Sequence, residues 1–137
     1  MSVEIIEYSP KDMGEFVARY IPEAGVAERE SIHAASTFSD PILGFFIGSE
    51  FAALVGFVPT TIIPAKAYVW MQDGPALAKN RFRSAKLILR MREVMLNQFP
   101  ILFGQCVPGG KGVRWLTKLG AEFGETRNGL ISFELRS

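Results

Sequence analysis

Thiol and imidazole groups are nearly missing from this chain: it has one cysteine, Cys106, and one histidine, His33, among 137 residues. A single cysteine rules out an internal disulfide, and a single histidine leaves no cluster with zinc-ligand spacing, so no metal site is expected. A reducing, intracellular setting follows from that cysteine usage. Long apolar runs are also scarce. The most apolar stretch, residues 42–58, is interrupted by Gly48-Ser49-Glu50 and is short for a membrane span, so no membrane partner is expected. The opening MSVEIIEYSP has neither a basic region nor a sustained apolar core, which argues against a secretory signal. There is no internal repeat and no low-complexity linker. The formal net charge is only +1, and no recognised nucleic-acid module accompanies the basic residues. Specific nucleic-acid recognition is therefore not expected, although a weak, sequence-independent contact stays open.

What is present is a 48% hydrophobic composition with eleven phenylalanines, ample for the core of one domain over residues 1–137. The charge is unevenly spread. Residues 1–50 hold nine acids and three bases (−6), whereas residues 51–137 hold five acids and twelve bases (+7). Two oppositely charged faces, or a basic ligand site beside an acidic surface, would both give this asymmetry.

The centre of the chain, residues 67–96, reads as strand, turn and helix. A short aromatic-rich run, predicted as a strand over about 67–71, breaks at Asp73-Gly74-Pro75, and a helical period begins between Leu77 and Arg81. Lys79, Arg81, Arg83, Lys86, Arg90 and Arg92 all precede Glu93, the first acid of that helix. Cations at a helix N-terminus are mildly unfavourable, by about 0.3–1 kcal/mol each when exposed, so the pattern invites an anion such as phosphate or pyrophosphate. A solvated basic face is the plainer alternative.

Around that centre the pattern predicts a strand at 3–8 and a helix from Pro10 to about 21, with Ser9 as cap. A second helix follows at about 23–37, then a hairpin of 42–47 and 51–58 about Gly48-Ser49-Glu50. After the central helix come a strand at 101–107, a short helix at 112–119 ended by Gly120, and a hairpin of 122–126 and 130–136 turning at Asn128-Gly129. This order predicts an α+β (mixed α/β) protein with a central mixed sheet of about seven strands and helices on both faces.

Three stretches resemble the GCN5-related N-acetyltransferase (GNAT) family. ILGFFIGSEFAALVGFV is similar to that family's second and third strands. VRWLTKLGAEF is similar to its later helix, which ends in a leucine-glycine pair. The central strand, loop and helix falls where the family binds the pyrophosphate of acetyl-coenzyme A. The family's phosphate loop, Q/R-x-x-G-x-G/A, fits best on Asn80-Arg81-Phe82-Arg83-Ser84-Ala85, which keeps only the final small residue. Leu116 stands where the family often has the tyrosine that protonates the coenzyme thiolate, and the usual asparagine falls in Gly109-Gly110. In size and in its basic helix start the chain is similar to the small acetyltransferase-like proteins of short-tailed phages, some of which are virion components and others early proteins acting on the host.

The resemblance implies an acetyl-CoA-dependent N-acetyltransferase of a protein or small amine, phage-encoded and located in the host cytoplasm or the virion. The alternative is a catalytically silent binding module on a host protein target or within a virion, and a homo-oligomer is among the expected states. It implies that backbone groups of Val69, Trp70 and Met71 hold the pantetheine arm, with Lys79, Arg81, Phe82, Arg83, Ser84 and Ala85 at the phosphates. Tyr68, Asp73 and Glu50 are the acid–base candidates. His33 reads as an ordinary half-buried histidine, Cys106 as a structural thiol, and at least one of Tyr68 and Trp70 as core packing.

Overall fold

Glycine, proline and the Asn-Gly pair punctuate the chain much as their chemistry predicts in the computed structural model. It describes residues 3–60, 66–79 and 81–137, the side chains of residues 78 and 81–84 excepted. The elements are β1 (Val3–Tyr8), a 3-10 turn (Pro10–Asp12), α1 (Met13–Tyr20), α2 (Val26–Thr37), β2 (Ile42–Ile47), β3 (Glu50–Pro59), β4 (Lys66–Asp73), α3 (Pro75–Lys79) and α4 (Arg81–Gln98). β5 (Ile101–Cys106), α5 (Lys111–Leu119), β6 (Glu122–Arg127) and β7 (Leu130–Arg136) complete it. They form a mixed seven-stranded sheet flanked by helices, in the order β1-β2-β3-β4-β5-β7-β6. The β4–β5 pair is parallel, while β1–β2, β2–β3, β5–β7 and β6–β7 are antiparallel.

Local chemistry accounts for the ends. The Ser9 backbone N–H and hydroxyl donate to the Asp12 carboxylate at 2.8 and 3.0 Å, fixing entry into α1. Gly48 takes a φ of +64°, the value a tight hairpin needs, and Glu50 belongs to β3 opposite Ile47, so the turn is shorter than expected. Asn128 and Gly129 both have positive φ, 53° and 77°, as a two-residue hairpin turn of this pair demands. α2 begins later than expected, at Val26, because Ala24 is buried in a turn that bonds back to Ile21 and Gly25 is the N-cap. α3 was not expected as a separate element. Pro75 opens it and buries Ala76 and Leu77 before α4 begins at Arg81.

The chain clusters into two compact units, Met1–Val58 with Trp70–Ser84, and Pro59–Val69 with Ala85–Ser137. In the first, Phe16 of α1 meets Tyr8, Tyr20 and Phe51 at ring-centroid distances of 5.0, 4.9 and 5.2 Å, in a core with Met13, Val17, Ile32, Ile42 and Leu54. Truncating one such buried aromatic to alanine costs about 3–5 kcal/mol. In the second, Ala67, Leu102 and Leu135 are fully buried on alternate strand positions, as are Leu87, Met91 and Met95 of α4. α5 ends at Gly120, φ 91°, and the Arg92 guanidinium donates to the carbonyls of Leu119 (2.6 Å) and Arg136 (2.9 Å), tying helix end to strand end. No described helix is long and apolar enough to cross a membrane.

Candidate functional site

β4 carries the candidates Tyr68, Val69, Trp70, Met71 and Asp73. Its parallel ladder with β5 pairs Lys66, Ala67 and Tyr68 with Ile101, Leu102 and Phe103 and ends there, although β4 runs on to Asp73 and β5 to Cys106. Val69, the next residue of β4 in the same unit as β5, therefore has no β5 ladder partner among the described residues. Exposed hydrogen-bonding groups on a strand edge are a template for an extended ligand. Gly104, just past the last paired residue, has no room for a side chain: a Cβ there would lie 2.7 Å from Phe133 Cζ and 2.8 Å from the Val69 carbonyl oxygen.

Within the second unit, Tyr68 and Phe103 meet edge to face, centroids 5.7 Å apart, and the Lys66 ammonium lies 5.0 Å from the centre of the Phe103 ring. The register places four side-chain positions in one row across the sheet. Tyr68 pairs with Phe103, Phe103 with Glu134, and Glu134 with Glu122. That row floors an open groove of about 630 Å³, which Gln105 and Ser132 also line. Residue-by-residue reading missed this groove. The alternation of Ser132, Glu134 and Arg136 with buried neighbours and the hairpin that carries Glu122 were visible, but the strand order that brings Phe103 beside Glu134 was not.

In the first unit, Glu50 and Lys79 come together. Glu50 Oε2 lies 3.5 Å from Lys79 Nζ, and Glu50 Oε1 is buried without a hydrogen-bond partner among the described residues, although the side chain as a whole is 42% exposed. The structure thus joins an acid–base candidate to a phosphate candidate in one exposed ion pair, worth about 0–1 kcal/mol. Asp73 is exposed at the end of β4. Gly74 behind it is obligatory, since its N–H donates to the Ala52 carbonyl at 2.7 Å and a Cβ would lie 2.6 Å from the Phe51 carbonyl oxygen.

Trp70 is a strut. Its indole N–H donates to Ser39 Oγ at 2.7 Å, the Ser39 hydroxyl donates to the Ala35 carbonyl, and Gly56 leaves room for the ring, because a Cβ there would lie 2.1 Å from it. The Trp70 side chain is thus committed to packing. Arg81, Phe82, Arg83 and Ser84 form the first turn of α4, and their side chains lie outside the described residues. Ala85, Lys86 and Arg90 are exposed, with Arg90 paired to Glu93.

His33, expected half-buried, is exposed beside a small cleft between α1 and α2. It lies at a helix position where Glu30 and Arg29 are also exposed, and solvent reaches it. Cys106 is partly buried, and burial raises its thiol pKa, which keeps it protonated near neutrality. Leu116 is buried at 4% exposure, so α5 offers no hydroxyl there.

No protein-family model matches the chain, and no curated protein matches it in sequence. Solved structures do match in fold. The GNAT domain of PAT from S. lividans aligns over 98% of this chain and 90% of its own, with a TM-score of 0.65 at 17% identity. The PaiA N-acetyltransferase of Thermoplasma acidophilum, solved in complex with coenzyme A, aligns over 100% of both chains with a TM-score of 0.62 at 15% identity. An aminoglycoside acetyltransferase, also in complex with coenzyme A, covers 98% of this chain and 95% of its own, with a TM-score of 0.62 at 13% identity. The strand order, the β4–β5 ladder that stops midway and these alignments agree: the chain has the fold of the GNAT acetyltransferases.

Proposed function

We propose that the protein is an acetyl-CoA-dependent N-acetyltransferase whose acceptor is an amine. The observation that carries this reading is the end of the β4–β5 ladder at Tyr68 and Phe103. Past it the Val69 backbone has no β5 ladder partner, which suits an extended, amide-bearing arm such as that of coenzyme A; Trp70 and Met71 follow it along β4. At the phosphate end the reading rests on the start of α4 and on Lys79, exposed at the end of α3. Arg83 stands where the family's loop carries its middle glycine, so the side-chain cations of Lys79, Arg81 and Arg83 take over part of the role of close backbone approach. When bound, the coenzyme supplies an activated acyl thioester.

Tyr68 is the proton-holding group of this reading. It lies at the last paired position of β4 and lines the groove, whereas Leu116 offers no hydroxyl at its own place on α5. Loss of a general acid typically lowers the rate 10²–10⁴-fold. Tyr68→Phe is therefore expected to lose most acetyl transfer, followed as coenzyme thiol release with a panel of amines, while keeping acetyl-CoA affinity. Transfer at the wild-type rate in Tyr68→Phe removes Tyr68 from the chemistry.

A second reading is a catalytically silent binding module, phage-encoded and acting on a host protein or within a virion. Leu116 in place of an acid and Arg83 in place of a glycine favour it. A pull-down with a homo-oligomer control separates a host partner from self-association.

A further inference from the structure

The helical layer of the first unit carries an apolar hole and an apolar knob. The hole is the cleft between α1 and α2, about 310 Å³, with Met13, Val17 and Ile32 as its buried floor and Arg29, Glu30 and His33 exposed around it. An apolar cavity of about 150 Å³ is already enough for a benzene ring. Gly14 stands in the α1 wall, where a Cβ would meet nothing within 4 Å. A glycine inside a helix is less stable than an alanine, and no neighbour in the fold requires this one. Its effect is to keep the cleft open. The knob is Phe38, which ends α2 and is 77% exposed, more than any other large apolar side chain among the described residues.

One helix relates the two. The α2 residues of the cleft centre on position 31, and Phe38 lies about 10 Å further along the axis at about 1.5 Å per residue. A two-fold axis midway between them passes beside Ala34, which is exposed, and Ala35. Two antiparallel α2 helices about that axis put each Phe38 level with the cleft of the other copy, and alanine at the axis lets the helices come close. Charge fits the same arrangement. Asp40 is exposed two residues beyond Phe38, Arg29 is on the rim of the cleft, and neither has an ion-pair partner among the described residues. With the end of one α2 over the start of the other, the Asp40 carboxylate approaches the Arg29 guanidinium at both ends of the pair.

We propose that the partner of this surface is a second copy of the chain, in a two-fold pair in which Phe38 of each copy enters the α1–α2 cleft of the other. Knob, cleft and complementary charges all belong to one layer of one unit, and a single symmetry axis satisfies them together. Two ring insertions with a short helix contact between them make a small interface, of the weak and reversible class. The pairing is independent of acetyl transfer and of coenzyme.

Sedimentation equilibrium of the full chain without coenzyme, from low-micromolar to near-millimolar concentration, tests this. The wild type is expected to show a reversible monomer–dimer equilibrium. Phe38→Ser removes the knob and Gly14→Leu fills the cleft, each at an exposed position where the fold accepts the change, and each is expected to weaken the dimer at least about tenfold while the melting of the dilute protein stays that of a folded chain. An equimolar mixture of the two variants is expected to pair more tightly than either alone, because one intact knob then meets one intact cleft. Val107→Ser, an equally exposed apolar position in the second unit, is expected to leave the dimer unchanged. A wild type that stays monomeric at near-millimolar concentration, a dimer that survives either Phe38→Ser or Gly14→Leu, or a mixture that pairs no better than its components overturns the proposal.

Discussion

Replacing Gly104 by alanine probes the point where the β4–β5 ladder gives way to an open edge. The new Cβ would meet Phe133 Cζ at 2.7 Å and the Val69 carbonyl oxygen at 2.8 Å, inside the closest approach that real Cβ atoms make. The ring can tilt, but the carbonyl belongs to the strand, so backbone must move by several tenths of an ångström. Overpacking of this kind costs about 1–3 kcal/mol. With about 2.1 cal/mol/K of unfolding entropy per residue, each kcal/mol lowers Tm by about 3.5 °C in a chain of this length, giving a drop of about 4–10 °C.

The control is Gly14→Ala in α1, where a Cβ meets nothing within 4 Å and the helical backbone accepts it. That change is expected to stabilise the protein by about 0.5–1 kcal/mol. Scanning calorimetry on the two variants reads both signs in one experiment. A Gly104→Ala variant melting within a degree of wild type would refute the close approach of Val69 to β5, and with it the geometry argued for the start of the free β4 edge.

Two further outcomes follow from the first unit. Gly56→Ala drives a Cβ into the Trp70 indole and breaks its hydrogen bond to Ser39, so a loss of about 1.5–4 kcal/mol is expected from overpacking plus the lost bond, with a shift in tryptophan fluorescence; unchanged stability and emission would remove Trp70 as a strut. The Asp12 carboxyl is held below its ordinary pKa of 3.8, first by the Ser9 backbone N–H and then by the Ser9 hydroxyl. A lowered folded-state pKa contributes stability that is present above the unfolded value and is lost as pH falls through the folded one. Asp12→Asn should therefore be less stable than wild type near neutral pH, and urea melts at a series of pH values should show the gap closing below about pH 4; a gap independent of pH would contradict the assignment.

Much of this architecture could be read from local chemistry. Asn128-Gly129, Gly120, Gly74-Pro75 and Ser9-Pro10 each impose a backbone geometry that few other residues accept, and each marks the end of an element in the structure. α3 escaped notice because residues 75–79 are too few to display a helical period. The candidate site was legible in part. The β4–β5 ladder stops at Tyr68, just before the residues the resemblance assigned to the coenzyme arm, but nothing in sequence pairs Glu50 with Lys79 or fixes Glu122 opposite Glu134. The first depends on how α3 returns to β3, and the second on the register shift between Phe123 and Thr126, which sets Glu122 opposite Glu134 within the expected hairpin. Trp70 shows the converse. Its alternation fitted either a ligand-facing or a core aromatic, and only Gly56 and Ser39, distant in sequence, decide for packing.

The most direct measurement is titration of the wild-type chain with acetyl-CoA by calorimetry, paired with a melting curve in the same buffer. A ligand that binds only the native state raises Tm, by an amount equivalent to about 2.7 kcal/mol at a hundred times its Kd. The predicted result is saturable heat at one site per chain and a raised Tm, both weakened in an Arg81→Ala, Arg83→Ala double variant. Absence of heat and of any Tm shift at millimolar acetyl-CoA would contradict coenzyme binding and leave the fold as a binding module.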